Sequence, residues 1–106
     1  MYTCQALWTA AHERIAAVFV ILNNSSYRIL KQRLVAQCGF AAQVDRFVGM
    51  ELNDPAIDYV GLARSMGVAA ERATTVRDAT DLISKGLKSD APLLIDVPVD
   101  RNYRPV

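Results

Sequence analysis

The chain has 106 residues, 52% of them hydrophobic and 22% charged, with a formal net charge of +1. That length suits one small domain with a modest core, and that composition excludes a disordered chain. A charge so near zero supplies no field for nucleic acid or an anionic membrane surface, so neither is expected as a partner.

The first predicted element is a helix from Tyr2 to about Arg14, with Cys4, Leu7, Ala11 and Ile15 on one stripe and Trp8 beside it. Apart from Thr3, no capping residue precedes it. Ala17 to Leu22 follows as a strand without polar alternation, the pattern of a parallel strand buried on both faces. Ser25 or Ser26 is expected to cap a second helix, with Tyr27, Leu30 and Leu34 as its apolar face. Val35 to Asn53 is less regular and carries Gly39 and Gly49. Asp54-Pro55 reads as the start of a third helix, whose stripe is Tyr59, Leu62, Ala63 and Met66 and which Gly67 ends. Val68 to Thr74 is a short strand interrupted by Glu71 and Arg72, hence an edge strand. Thr75 with Asp78 three residues on resembles a capping box. It opens a fourth helix to about Ser89, with Ala79, Leu82 or Ile83, and Leu87 facing inward. Leu93 to Val99 is the last strand, and the tail "DRNYRPV" is polar.

Strands that alternate with helices in this way imply a parallel sheet with crossover helices. The longest apolar run, Ile15 to Leu22, falls well short of the roughly 20 residues that span a membrane. No basic region followed by an apolar core suggests a signal peptide. Cys4 and Cys38 lack metal-ligand spacing and read as reduced thiols of a cytoplasmic protein.

The run "NNSS", Asn23 to Ser26, lies where the first strand hands over to a helix. Ligands of open α/β sheets bind beyond the carboxyl ends of strands. A helix N-terminus there offers free N–H groups and partial positive charge to a phosphate. An asparagine amide oxygen and a backbone carbonyl are neutral hard ligands suited to Mg²⁺, which takes its other oxygens from phosphate and water. A plainer reading stands beside this one: the asparagines make a turn and Ser25 a cap. His12, beside Glu13 and Arg14, and the basic cluster of Arg28, Lys31 and Arg33 read as solvated helix surface, with a general base and a phosphate contact as their respective alternatives. Trp8 and Tyr27 read as packing residues.

"MYTCQALWTAAHERIAAVFVILNNSSYRILKQ", "LNDPAIDYVGLARSMGV" and "APLLIDVPVDRNYRPV" resemble the C-terminal cofactor domain of thiamine diphosphate-dependent enzymes. The likeness is greatest to the benzoylformate decarboxylase and acetolactate synthase-like branch. "YRILKQ" after the asparagines, in place of a Met-Val-Arg-Gln-Trp-Gln run, favours the decarboxylase side. The resemblance implies a three-layer, Rossmann-like α/β fold with a parallel sheet, here partial: residues 1–106 as one domain of about three strands with flanking helices. It implies thiamine diphosphate and Mg²⁺ as cofactors. Asn24 by its side chain and Ser26 by its carbonyl would hold the metal, and the backbone around Ser25 and Tyr27 would face the diphosphate. Ile29 and Leu30 would line the substrate pocket. No residue of the chain matches a catalytic position.

The family's Gly-Asp-Gly motif, which stands nearly thirty residues before the asparagine pair, has no counterpart, and the first aspartate is Asp45. The family's activating glutamate belongs to a separate N-terminal domain. The expectation is therefore a fragment with weak cofactor binding and no decarboxylase or lyase activity alone. The family's strand order would put Leu93–Val99 in the middle, Val68–Thr74 at one edge and Val18–Leu22 at the other. An edge apolar on both faces recruits partners, so a homo-oligomer is expected across that edge or across the face left uncovered. The alternative function is a non-catalytic α/β module for oligomerisation or partner binding.

Overall fold

The computed structural model describes residues 3–37 and 49–100. Cys38, Gly39, Asp45 and the tail residues 101–106 lie outside the described residues, as do Met1 and Tyr2. Among the described residues, seven elements follow in order: α1 (Gln5–His12), β1 (Val18–Asn23), α2 (Arg28–Ala36), α3 (Tyr59–Ser65), β2 (Ala69–Arg72), α4 (Val76–Lys88) and β3 (Leu93–Pro98). They fall into two compact units. The first, Met1–Asn23 with Asp58–Pro98, holds the sheet and α1, α3 and α4. The second, Asn24–Ile57 with Val99–Val106, holds α2.

The sheet of the first unit has three parallel strands in the order β1-β3-β2. Val18 pairs with Leu93 and Asn23 with Pro98, while Ala69 pairs with Leu93 and Arg72 with Asp96. β3 is central because Leu93, Leu94 and Ile95 are apolar in succession and all three are buried, as a strand covered on both faces requires. Leu94, Phe19, Ile21 and Ala70 meet α1 and α3 through Leu7, Ala11, Val60 and Ala63. Leu93, Ile95, Val97 and Val18 meet Ala79, Leu82 and Ile83 of α4. Helices therefore cover both faces, giving the expected three-layer α/β fold.

Caps set the helix limits. Thr75 accepts from the Asp78 N–H at 3.1 Å, as its sequence context suggests. The Asp78 carboxylate accepts from Thr74 instead of reaching back to Thr75. α3 begins at Tyr59 and not at Asp54-Pro55. Asn53 and Ala56 pair across a tight antiparallel bridge, and the helix cap is Asp58, whose carboxylate accepts from the Gly61 N–H at 2.9 Å. Gly67, at φ +84°, closes α3 in a conformation that costs a glycine little.

Three inward assignments fail. α1 ends at His12, so Ile15 leaves the helical stripe and is exposed. Trp8 is exposed and packs on the His12 ring at a centroid distance of 4.6 Å. Leu87 is exposed because the close approach of α4 is made by its neighbour Gly86. A Cβ there would stand 2.7 Å from Val18 Cγ2 and 3.0 Å from Leu93 Cδ2.

Two features of the sheet carry later arguments. β1 is an edge strand; α4 reaches Val18 but leaves Val20 exposed and Leu22 68% exposed. Asp96 on β3 is 2% exposed. Arg72 Nε and an Arg72 terminal nitrogen each lie 3.3 Å from its Oδ2, while its Oδ1 has no hydrogen-bond partner.

Candidate functional site

The second unit begins where the asparagine pair breaks. Asn23 closes β1, and Asn24 opens a loop whose shape comes from its own side chain. Asn24 Oδ1 accepts from the Ser26 N–H at 3.2 Å, an Asx turn that bends the chain sharply. Ser25 sits at φ +53°, a left-handed conformation costly for a residue with a Cβ. Ser26 then forms an antiparallel bridge with Glu51. On either side of that bridge, the Tyr27 N–H donates to Met50 O at 2.8 Å and the Leu52 N–H donates to Ser25 O at 2.7 Å.

α2 starts only at Arg28. The N–H groups of Leu30 and Lys31 both donate to Tyr27 O, at 3.1 and 3.2 Å, so Tyr27 is the capping position. Ser26 does not serve as the side-chain cap expected from sequence. Ser25 is turned left-handed, and Ser26 is committed to the bridge with its hydroxyl buried and without a hydrogen-bond partner. The polar face of α2 also differs from the expectation. Lys31 is only 5% exposed and forms an ion pair with Glu51, while Arg33 is exposed. Of the presumed apolar face, Tyr27 and Leu30 are exposed and Leu34 is half-buried, and Ile29 beside them is exposed as well.

A groove of about 440 Å³ lies at this helix start, lined by Asn24, Ser26, Tyr27, Arg28, Ile29 and Gln32. It brings together Asn24, Ser26, Tyr27 and Ile29 of the residues singled out from sequence. Ser25 and Leu30 are not on its wall. Arg28 and Gln32 are on it too; Arg28 belongs to the basic cluster whose other reading is phosphate contact, and Gln32 was not foreseen as a site residue. Their spacing of four places them on one helix face, which is the signal that could have found them.

Thiamine diphosphate with Mg²⁺ fits what these residues offer, as one half of a donor set. Asn24 and the loop carbonyls are neutral hard oxygens. At the start of α2 the Leu30 and Lys31 N–H groups are taken by Tyr27 O, which leaves those of Arg28 and Ile29 ahead of the first intrahelical bonds, and Arg28 adds positive charge to the wall. The buried, unpartnered Ser26 hydroxyl is a donor available to a phosphate oxygen. Among the described residues, no group of three or more His, Cys, Asp or Glu side chains could hold a metal alone, so the ion would draw on phosphate and water oxygens.

Among the described residues, no helix is long and apolar enough to cross a membrane. A second cavity, about 330 Å³, belongs to the first unit; Cys4, Leu7, Phe19, Ile21, Tyr59 and Leu94 are on its wall.

Comparison with known proteins gives the family. Residues 1–97 match the family model described as thiamine pyrophosphate enzyme, C-terminal TPP binding domain. Over 97 residues the chain is 35% identical to a benzoylformate decarboxylase of Pseudomonas aeruginosa, covering 92% of this chain and 17% of that protein. It is also 35% identical over 102 residues to a putative acetolactate synthase large subunit of Mycobacterium tuberculosis, covering 93% of this chain and 19% of that one. A thiamine diphosphate-dependent 4-hydroxybenzoylformate decarboxylase of Rhodococcus jostii superposes with a TM-score of 0.83 at 33% identity, over 95% of this chain and 18% of that chain. A benzoylformate decarboxylase of Polynucleobacter necessarius shares the fold, with a TM-score of 0.86 at 22% identity over 100% of this chain and 19% of that chain. The chain thus spans about a fifth of the length of the relatives it matches. It belongs to the family of C-terminal thiamine diphosphate-binding domains, in company with benzoylformate decarboxylases and acetolactate synthases.

Proposed function

We propose that the loop Asn24–Tyr27 and the first turn of α2 bind the diphosphate of thiamine diphosphate together with Mg²⁺, as the C-terminal cofactor half of an enzyme that acts on aryl 2-oxo acids. The observation that carries this is the groove itself. It gathers the Asn24 amide, a buried hydroxyl without a partner and Arg28 at the start of a helix. In this reading Asn24 Oδ1 and the Ser26 carbonyl are metal ligands, and the backbone of Ser25 and Tyr27 faces the diphosphate. Ile29, on the groove wall, and Leu30, one residue on, present apolar surface to the substrate. Thiamine diphosphate, when bound, supplies the electron sink for loss of carbon dioxide from a 2-oxo acid. The substrate class comes from the benzoylformate decarboxylases that the chain resembles.

The 106 residues contain no Gly-Asp-Gly to bring a carboxylate to the metal. Taken by themselves they bind the cofactor weakly and turn over no 2-oxo acid. Titration calorimetry with Mg²⁺ and thiamine diphosphate tests the site: saturable heat is expected, and Asn24→Ala abolishes it. Absence of any saturable heat from the unaltered chain would count against the reading. A turnover assay with benzoylformate tests the second point, and product at an ordinary enzymatic rate would overturn it.

One observation favours a second reading, a non-catalytic module that self-associates. Val20 and Leu22 are exposed on the edge strand β1, and such an edge pairs readily with a second copy. Light scattering that gives a monomer mass at high micromolar concentration would exclude a homo-oligomer built on that edge. Cytoplasmic residence belongs to the same proposal and rests on the two cysteines alone.

A further inference from the structure

The cofactor loop is held from a point well away in sequence. Residues Met50 to Leu52 run antiparallel to Ser25–Tyr27, joined by the Tyr27 N–H to Met50 O bond, the Leu52 N–H to Ser25 O bond and the Ser26–Glu51 bridge. This short strap fixes where the Ser26 carbonyl and the Tyr27 amide stand. The strap is anchored in turn by its own side chain. Glu51 reaches α2 and pairs with Lys31, whose side chain is 7% exposed against 38% for Glu51. A lysine ammonium that far from water is costly unless a carboxylate meets it. The two residues stand 20 apart in sequence, beyond the reach of any helical spacing.

We propose that the Lys31–Glu51 pair is a positioning clamp for the diphosphate loop. It ties the strap to α2, so that the loop and the helix start, the two halves of the proposed anion site, keep one geometry. Neither side chain touches the cofactor in this scheme; neither is on the groove wall. The pair acts through the backbone of Glu51 on Ser26. The inference rests on the cofactor reading above for its functional meaning, but its mechanical part concerns the loop alone.

The test has two arms on the 106-residue chain. The first is amide hydrogen exchange without cofactor. Glu51→Gln and Lys31→Met are expected to speed exchange at the Tyr27 and Leu52 amides while leaving the β3 amides Leu94 and Ile95 unchanged. The charge exchange Lys31→Glu/Glu51→Lys, and the conservative Glu51→Asp, are expected to restore protection in part. Protection at Tyr27 and Leu52 that is untouched in both single variants, or lost equally across β3, would overturn the clamp. The second arm is calorimetry with Mg²⁺ and thiamine diphosphate. Outer partners of a metal ligand set cost roughly 10- to 100-fold in affinity when removed, and a loss of that size is expected for each single variant, recovered by the charge exchange. Equal affinity in wild type and Glu51→Gln would also overturn the clamp. A wild-type chain that takes up no cofactor would refute the proposed function instead, and the exchange arm would still decide the clamp.

Discussion

Arg72 and Asp96 form an ion pair whose two halves should cost very different amounts to remove. The Asp96 side chain is 2% exposed and the Arg72 side chain 56%. If Arg72→Met is made, the Asp96 carboxylate stays in the core with neither oxygen paired, since Oδ1 already has no partner. Breaking a buried pair from one side costs about 3–5 kcal/mol. Arg72 is more than half in water, which screens the pair, so the cost is discounted below that range and about 2–3 kcal/mol is expected. Asp96→Val removes the buried charge and its orphan oxygen, keeps nearly the same volume and suits a strand. It leaves Arg72 free to turn to solvent, and a cost below about 1 kcal/mol is expected. The double variant should resemble Asp96→Val alone, because without the carboxylate the guanidinium has nothing to neutralise. Urea unfolding at neutral pH, followed by far-ultraviolet circular dichroism, measures all three. At about 4–8 °C per kcal/mol, the Arg72→Met midpoint should fall by roughly 10–20 °C in a thermal scan. An Arg72→Met variant within about 0.5 kcal/mol of wild type, or an Asp96→Val variant that is the less stable of the two, would refute the reasoning.

Other outcomes follow from single contacts. Thr75→Ala removes the acceptor for the Asp78 N–H and should cost about 1 kcal/mol in the same unfolding assay, with Thr75→Ser near neutral. Gly86→Ala should destabilise despite alanine's helix preference of about 1 kcal/mol, because the new Cβ meets Val18 and Leu93; Val18→Ala in that background should recover part of the loss, a non-additivity that a double-mutant cycle reads. Leu94→Ala, with its side chain fully buried between the strands and α1 and α3, should cost about 3–5 kcal/mol and leave little folded chain at 37 °C. Asn24→Asp keeps an oxygen for the Ser26 N–H whereas Asn24→Ala does not, so amide exchange at Ser26 should rise only in the alanine variant.

Much of this fold could be read from local pattern. β1 is a continuous apolar run as far as Leu22, β3 is one but for Asp96, and Thr75 with Asp78 marks a helix start by chemistry that needs no distant partner. The start of α3 was misplaced because Pro55 is a strong local signal, and the Asn53–Ala56 bridge and the Asp58 carboxylate override it. The site was legible in the same uneven way. Asn24 shapes its own turn, so its neighbourhood is visible in four residues. Lys31 was read as solvated because a helical pattern cannot show that Glu51 comes to meet it. Gln32 was missed, and Arg28 read first as solvated surface, for a milder reason: the groove wall follows a helix face whose apolar residues point outward.

The position of β3 bears on how the chain can fold as it is made. Both ladders of the sheet use β3, and β1 and β2 never touch as partners. Until Leu93–Pro98 has left the ribosome, neither β1 nor β2 can form its ladder with β3, and Leu22 on β1 waits with its apolar surface uncovered. The β1–β3 pairing closes across about 70 residues, the kind of long-range contact that folds slowly. Ending the chain before Leu93 would remove two interfaces at once, and a six-residue peptide of β3 added back is the natural candidate to restore them.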